Sequence, residues 1–361
     1  MFGERLERVR ARMAALGVDV LLLSVGADLP WLTGYEAMPL ERLTMLVVAR
    51  DDTPTMVVAR LEAPRVVAQP GVFELRPWDE TQDPVAIVAG LVGGGRRHVA
   101  VGDQTWARFV VDLQHALPDA HWSRASEVTS PLRMVKDPGE VDALRAAARA
   151  VDEIATSMRD VRFAGRTEAE VSRELVDRML AAGHERANFA IVATAANAAS
   201  PHHEPGDRAI ARGDVVLCDF GGTMRGYCSD ITRMFAVGEP DAEVRDTYAV
   251  LVDAQERAFR AATVGTPCEQ VDQVARDAIG AAGLAERFIH RTGHGIGLDA
   301  HEDPYLVGGN ATPLEAGNAF SIEPGIYLPG RFGLRLEDIV VATPAGPERL
   351  NDAPRDLAVV D

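Results

Sequence analysis

Two pairs of acidic residues, each placed almost symmetrically about a turn, constrain this chain more than any other feature. The stretch VVLCDFGGTMRGYCSDITRMF reads as two β-rich segments joined by a Met224-Arg225-Gly226 turn, so Asp219 and Asp230 lie nearly equidistant from that turn. SIEPGIYLPGRFGLRLEDIV repeats the arrangement, with Glu323 and Glu337 flanking Pro329-Gly330. Opposed residues of an antiparallel pair share a face, so each hairpin is expected to present two carboxylates side by side. A single acidic pair across a hairpin is ordinarily a solvated surface feature. Here Asp219 follows Val215-Val216-Leu217-Cys218 and Glu323 follows Ala319-Phe320-Ser321-Ile322, apolar runs that read as buried. Like charges that close, taken out of water, oppose folding unless protons or cations neutralise them, and four such groups need roughly two divalent ions.

The pattern around these hairpins suggests duplication. Asp137-Pro138-Gly139-Glu140 is a helix start, with a side-chain cap, proline at the first helical position and a box acid; Val141, Leu144, Ala148, Val151, Ala155 and Met158 keep helical spacing behind it. A second helix runs from Thr167, boxed by Glu170, to Gly183, and a β-rich section then ends in the aspartate hairpin. A long helical run from Asp241 to about Ala262, a Thr266-Pro267-Cys268-Glu269 start and a helix ending near Gly283 precede the glutamate hairpin in the same way. Two helix-helix-sheet units predict a pseudo-twofold α+β domain with metals at its centre. Residues 1–127 alternate strand-like runs (DVLLLS, TMLVVA, PTMVVA, HVAVG) with helical ones and predict a separate α/β domain; ASEVTSPLRMVKDPGE reads as the linker, leaving 128–361 for the second domain.

Composition narrows the function. The 361 residues carry a formal charge of -17, which argues against a nucleic-acid partner, whose phosphates select basic surfaces. Cys218, Cys228 and Cys268 are odd in number and lack CxxC spacing, favouring a reducing compartment; Cys218 should point away from Asp219 into the core. The opening MFGERLERVRARMAALG reads as an amphipathic helix and the apolar run Val18 to Leu23 is too short for a bilayer, so a cytoplasmic protein without a membrane partner is expected. Lys136, the only lysine, carries no functional inference at this level. His294 stands in Gly293-His294-Gly295-Ile296-Gly297, where glycines let backbone approach a ligand or a neighbouring strand, and His301 follows seven residues on. One imidazole among four carboxylates is an oxygen-rich site that suits manganese, iron, cobalt or magnesium better than a typical zinc site. Manganese is the first expectation, with cobalt, iron or zinc as alternatives.

ASPHHEP, DFGG with SDITR, GHGIGLDAHE, IEPGIY and GLRLED, in this order, resemble the pita-bread metallopeptidases, the Xaa-Pro dipeptidases (prolidases) and aminopeptidases P, over nearly the whole chain. The WLTGY element at Trp31 to Tyr35 falls in the part similar to a creatinase-like N-terminal domain, which methionine aminopeptidases lack. The resemblance implies a pita-bread catalytic domain, a homodimer, and two metals, with Asp219 chelating one, His294 and Glu323 the other, and Asp230 and Glu337 bridging them. It implies that His202 stabilises the tetrahedral intermediate, that His301 binds substrate and helps shuttle protons, and that Arg335 stands beside the bridging glutamate. His203 aligns with a position that is often tyrosine, and Thr232 is a candidate partner of the aspartates. A hydroxide held between two cations would attack an Xaa-Pro bond while a metal and a histidine polarise its carbonyl, and Glu323 would pass the proton to the leaving nitrogen. The first expectation is thus an Xaa-Pro dipeptidase acting on an Xaa-Pro dipeptide or short proline-containing peptide, with an aminopeptidase P acting on the N-terminus of longer peptides as the alternative. A creatinase-like small-molecule enzyme would have lost metal ligands, and an inactive binding module would not need His202 and His301. Some prolidases place an arginine four residues after the histidine matching His301; here that position is Tyr305, and Arg331 in the PGRFGLR turn is the nearest candidate for gripping a dipeptide carboxylate.

Overall fold

The structure, a computed structural model, describes residues 2–361. It divides into two compact units, Met1–Arg133 and Met134–Asp361. No helix among the described residues is long and apolar enough to cross a membrane.

The first unit is built on a six-stranded sheet of order β4-β3-β2-β1-β5-β6: β1 (Val20–Leu23), β2 (Met45–Ala49), β3 (Thr55–Ala59), β4 (Glu74–Trp78), β5 (His98–Val101) and β6 (His121–Arg124). The middle strands are the four apolar runs legible in the sequence, and their Val, Leu and Met side chains form one core with Val88, Phe109 and Leu113 of the covering helices. Helices α1 (Phe2–Leu16), α2 (Asp28–Thr33), α3 (Pro84–Val92), α4 (Ala107–Ala116) and α5 (Ser126–Arg133) complete the unit. The amphipathic reading of the N-terminus holds, since Leu6, Val9 and Met13 line the buried side of α1. The expected linker does not: Ser126–Arg133 is helical, with Val128 and Thr129 buried, so the division between units falls at Arg133 rather than at residue 127. Pro131 inside this segment masked the helical pattern.

The second unit repeats one layout. Helices α6 (Pro138–Ser157) and α7 (Glu168–Ala181) both open with complete capping boxes, Asp137 with Glu140 and Thr167 with Glu170. The sheet β18-β10-β8-β7 follows them, formed by β7 (Arg186–Thr194), β8 (Val215–Met224), β10 (Ile231–Val237) and the returning terminus β18 (Ala358–Val360), with β9 (Tyr227–Cys228) on β8. Then come α8 (Ala242–Ala261) and α9 (Cys268–Ala281), and the sheet β12-β11-β13-β16-β17 made of β11 (Gly293–Gly295), β12 (Glu302–Leu306), β13 (Ala319–Ile322), β16 (Asp338–Thr343) and β17 (Gly346–Arg349). The expected box at Thr266 does not form. Pro267 is the residue preceding the helix, Thr266 hydrogen-bonds Thr263 instead, and Glu269 accepts from Gly309 N–H. Both faces of β8 are buried, Val216, Cys218 and Phe220 under α6 and α7, Val215 and Leu217 toward α8 and α9, so Cys218 is a core residue and Asp219 emerges on the other face.

Register decides where the acids go. Arg225 and Gly226 both adopt left-handed φ (53° and 78°), making a two-residue turn that pairs Met224 with Tyr227. The turn is centred one residue later than the sequence suggested, which moves the partner of Asp219 by two positions, from Asp230 to Thr232. Asp230 is therefore a diagonal neighbour on the same face, not a direct partner. The second hairpin keeps its expected register: Ile322 faces Asp338 and, across β14 (Gly325–Leu328) and β15 (Phe332–Arg335), Gly325 faces Arg335, so Glu323 and Glu337 oppose one another in the break between the two ladders. An isolated β-bridge pairs Thr232 of the first half with Glu337 of the second.

Close backbone approach holds the hairpins in place. At Gly333 a Cβ would stand 1.9 Å from the Ala198 carbonyl oxygen. Gly333→Ala should therefore destabilise the protein by about 1–3 kcal/mol, as overpacking does. Chemical denaturation would show this as a lower midpoint, and an unchanged midpoint would mean the 195–199 segment has room to move.

Candidate metal centre

The four carboxylates converge where the two halves meet. Asp219, Asp230 and Glu337 offer ligand atoms within 4.8 Å of one another, as do His294, Glu323 and Glu337, and Asp230, His294 and His301, the acids through oxygen and the histidines through ring nitrogen. Glu337, Asp230 and His294 each belong to two of these sets; Glu337 and Asp230, which can each offer two oxygens, meet in one of them, as expected of groups placed between two ions. Asp219 Oδ1 and Asp230 Oδ1 are buried without any hydrogen-bond partner, which is costly unless a cation or proton occupies the space they face.

His294 is preset as a ligand. Its Nδ1 lies 3.1 Å from the Gly295 carbonyl, which can only accept, so Nδ1 carries a hydrogen and Nε2 is the nitrogen left to face the acids, donating to Glu323 in the metal-free chain and offering its lone pair when an ion is bound. Nε2 stands 3.2 Å from Glu323 and 3.7 Å from Asp230. The glycine frame serves neighbouring strands: a Cβ on Gly293 would meet the Ser321 carbonyl at 1.9 Å, and one on Gly295 the Asp303 carbonyl at 2.2 Å. Ser321 Oγ accepts from His294 N–H and donates to Glu323, fixing both.

Arg335 is the principal counter-charge. It donates to Asp219, to the Thr232 hydroxyl (3.2 Å), to Tyr327 (2.9 Å) and to the Pro201 carbonyl (3.2 Å). Thr232 in turn donates to Glu337 at 2.8 Å, the supporting role expected of it, though for the glutamate. Tyr327 Oη lies 2.8 Å from His290 Nε2, while His290 Nδ1 faces the Arg291 carbonyl, so the tyrosine donates to a neutral imidazole. Neither Tyr327 nor His290 stands out in the sequence as a functional residue, although Tyr327 belongs to IEPGIY. Burial opposes charge on Arg335, yet Tyr327, Asp219, Glu323 and Glu337 keep it protonated.

One arginine cannot balance four acids. Burial first, then Glu337, Asp219 and Glu323, push the Asp230 carboxyl far above its ordinary range; burial, Glu323 and Asp219 do the same to Glu337. Burial also raises Asp219 despite Arg335. Glu323 differs: burial would raise it, but the hydrogen bond and charge of His294 bring it to about 2. His301 reaches solvent at one edge, yet packing on its inner side, then His294 with ring centroids 3.9 Å away, lowers it to about 4. His202 sits on the loop tied down through Pro201 and is close enough to contribute to that lowering.

Two other residues find structural roles. Glu168, wholly buried, accepts from His203 Nε2 (2.8 Å), Thr194 N–H and Asn197, so His203 anchors the loop that carries His202. Lys136 forms a buried ion pair with Glu302, next to His301. Arg331, the sequence candidate for a carboxylate clamp, instead forms an exposed pair with Glu243 of α8, because the turn that carries it projects outward.

Comparison with known proteins agrees with this geometry. Residues 142–344 match metallopeptidase family M24 and residues 5–135 the Creatinase/Prolidase N-terminal domain. The chain belongs to metallopeptidase family M24. The probable dipeptidase PepE of Mycobacterium tuberculosis is 42% identical over 365 residues, covering 100% of this chain and 97% of that protein. The crystal structure of dipeptidase PepE from Mycobacterium ulcerans superposes with a TM-score of 0.93 at 43% identity, over 99% of this chain and 98% of that one. A Xaa-Pro dipeptidase from Bacillus anthracis gives 0.90 at 30% identity over 100% of both chains. As an M24 metallopeptidase with creatinase-type N-terminal domain and α+β catalytic domain, the protein has a donor set that fits the divalent ions the family implies.

Two outcomes test the centre. Asp230→Asn and Glu337→Gln each remove a shared charge and should lose metal together with activity, read by metal analysis of the purified variants. The second outcome concerns pH. The folded metal-free chain keeps protons on Asp230 and Glu337 that the unfolded chain has lost, so their contribution to stability is full below the ordinary carboxylate range and disappears as pH rises through the elevated values. Ions that displace those protons should make the melting-temperature gap between loaded and chelated protein widen from about pH 5 to about pH 8. A gap independent of pH would contradict the assignment.

Proposed function

We propose that this M24 metallopeptidase is an Xaa-Pro dipeptidase that holds two divalent ions, manganese first, with Asp219 on one, His294 and Glu323 on the other, and Asp230 and Glu337 between them. The observation that carries the reading is the overlap of the ligand sets at Asp230 and Glu337, beside an imidazole whose free nitrogen faces the same space. Four oxygen donors and one nitrogen favour a hard ion. Relatives named dipeptidase and Xaa-Pro dipeptidase, matched over nearly their whole length, support the substrate class. Ions so held would make a water acidic enough to attack at neutral pH and polarise the scissile carbonyl.

The chain's own residues supply the rest. His202, on its tethered loop and near enough to His301 to act on its charge, would donate to the oxyanion of the tetrahedral state, and His301, kept neutral, would accept or return a proton at the substrate. Glu323, ionised and held by Ser321, can carry a proton to the leaving nitrogen. Arg335 and Thr232 orient Asp219 and Glu337. A homodimer in a reducing cytoplasm completes the reading, supported by the family resemblance and by three cysteines that are all buried and unpaired.

Metal-reconstituted protein offered a matched pair, Xaa-Pro and Xaa-Pro-Yaa, should cleave the dipeptide faster; preference for the tripeptide would favour an aminopeptidase P. Activity should need about two ions per chain and return best with manganese or cobalt after chelation. His202→Ala should retain metal and lose about 100- to 1000-fold in kcat. Loss of metal in that variant would place His202 among the ligands.

A further inference from the structure

Arginine carries nearly all the positive charge of this chain: of 37 lysine and arginine side chains, every one but Lys136 is arginine. The structure supplies a reason for the exception. The Lys136 side chain is 2% exposed and that of Glu302 8%, and the ammonium meets the carboxylate directly, so the one lysine is spent on a buried ion pair beside His301.

Backbone contacts pin both ends of the pair. Lys136 N–H donates to the Gly317 carbonyl at 2.9 Å, Val135 bridges Asn318, and a Cβ on Gly317 would stand 2.7 Å from the Lys136 carbonyl oxygen. Lys136 is thereby fixed against the segment that leads into β13 and Glu323. Glu302 opens β12, where it pairs with Gly295 next to His294. Its side chain turns back against the loop between the two histidines, for a Cβ on Gly297 would lie 2.7 Å from its Oε1. Gly297 is held in turn, its N–H donating to the Asp299 carbonyl at 3.0 Å and its carbonyl accepting from Cys228 N–H at 2.8 Å. A buried ion pair thus closes the base of the 297–301 loop, at the end of which His301 stands exposed. An ammonium is a compact point charge on a flexible stem, whereas a guanidinium is broader and planar. The close contacts at Gly297 and Gly317 leave neither the carboxylate nor the lysine backbone slack to accept the larger group.

We propose that Lys136 is a positioning residue for His301: by holding Glu302 against the 297–301 loop it keeps the His301 imidazole in place beside His294, and it does so as an ammonium that arginine does not replace. The proposal rests on the reading of His301 as the group that exchanges a proton with substrate. Lys136 acts only through Glu302, and its effect belongs in turnover rather than in metal binding.

The test uses metal-loaded parent protein, Lys136→Met, Lys136→Arg, His301→Ala and the combination of Lys136→Met with His301→Ala, measuring kcat and KM on Xaa-Pro, metal content and melting temperature. Lys136→Met should lose about 10- to 100-fold in kcat, the scale of a small misplacement of a reacting group, with metal content kept and KM within about threefold. Lys136→Arg should stay closer to Lys136→Met than to the parent. In the His301→Ala background, Lys136→Met should cost no more than about twofold further, because an effect that acts through a residue vanishes with it. Should Lys136→Met fail to fold, its combination with Glu302→Gln removes the carboxylate left without its ammonium and carries the same expectation for kcat. Parental kcat in either of these variants, loss of metal, or an undiminished loss of kcat in the His301→Ala background would overturn the proposal. Parental kcat in Lys136→Arg would overturn its requirement for an ammonium. Parental kcat in His301→Ala would instead overturn the reading of His301, and a parent protein inert toward Xaa-Pro the dipeptidase reading.

Discussion

Confinement of like charge organises the catalytic unit. Four carboxylates converge with their charge only partly offset by Arg335 and His294, and two of the carboxylate oxygens have no partner at all. Such a cluster would be a defect in a protein that kept it dry and ion-free. Much of the surrounding structure can be understood as what holds the acids together against their repulsion: strands buried on both faces, glycines where backbones touch, and arginines placed behind the acids. Arg233 illustrates the last point. Wholly within the protein, it bonds Asp338 and the carbonyls of Thr232, Glu337, Ala353 and Pro354, tying the first half's strand to the second half's glutamate and to the C-terminal segment.

Duplication of the helix-helix-sheet unit explains why the acids come in pairs, and the differences between the halves explain why the pairs are not equivalent. The aspartates sit two positions out of direct opposition, Asp219 within β8 and Asp230 in the short break between β9 and β10, whereas the glutamates face one another where pairing lapses between two ladders. The halves touch through Thr232 and Glu337, so the seam of the domain and the chemistry share one place. Coupling of this kind makes fold and site hard to separate by mutation: a change at Thr232 or Arg335 is felt as packing and as electrostatics at once.

Much of this was legible in the sequence because period-2 and period-3.6 patterns mark buried strands and helices directly. The apolar runs of β1, β2, β3 and β5 were readable for that reason. Edge strands β4 and β6, ELRPW and HWSR, were not, because solvent covers much of their surface and they carry no apolar alternation. The candidate ligands could be named from hairpin symmetry, yet a single residue of turn placement changed which residue faces Asp219. The Thr266 box failed because the observed helix begins only at Cys268, leaving Thr266 outside it. The ties among Tyr327, His290 and Arg335, and between Glu168 and His203, join residues far apart in the chain, and no local pattern announces them.

The single lysine has a practical meaning. Lys136 is 2% exposed, paired with Glu302, and lies just past the division between the compact units. Reagents that seek lysine side chains would find none exposed on the native protein, whose surface positive charge is carried by arginine. A lysine-directed protease would have one bond to cut in this sequence, between Lys136 and Asp137, and would reach it only when the Lys136–Glu302 pair opens. That bond lies close to the division between the two units, so the rate of cleavage would time the opening of the Lys136–Glu302 pair, beside His301 in sequence, without any introduced probe.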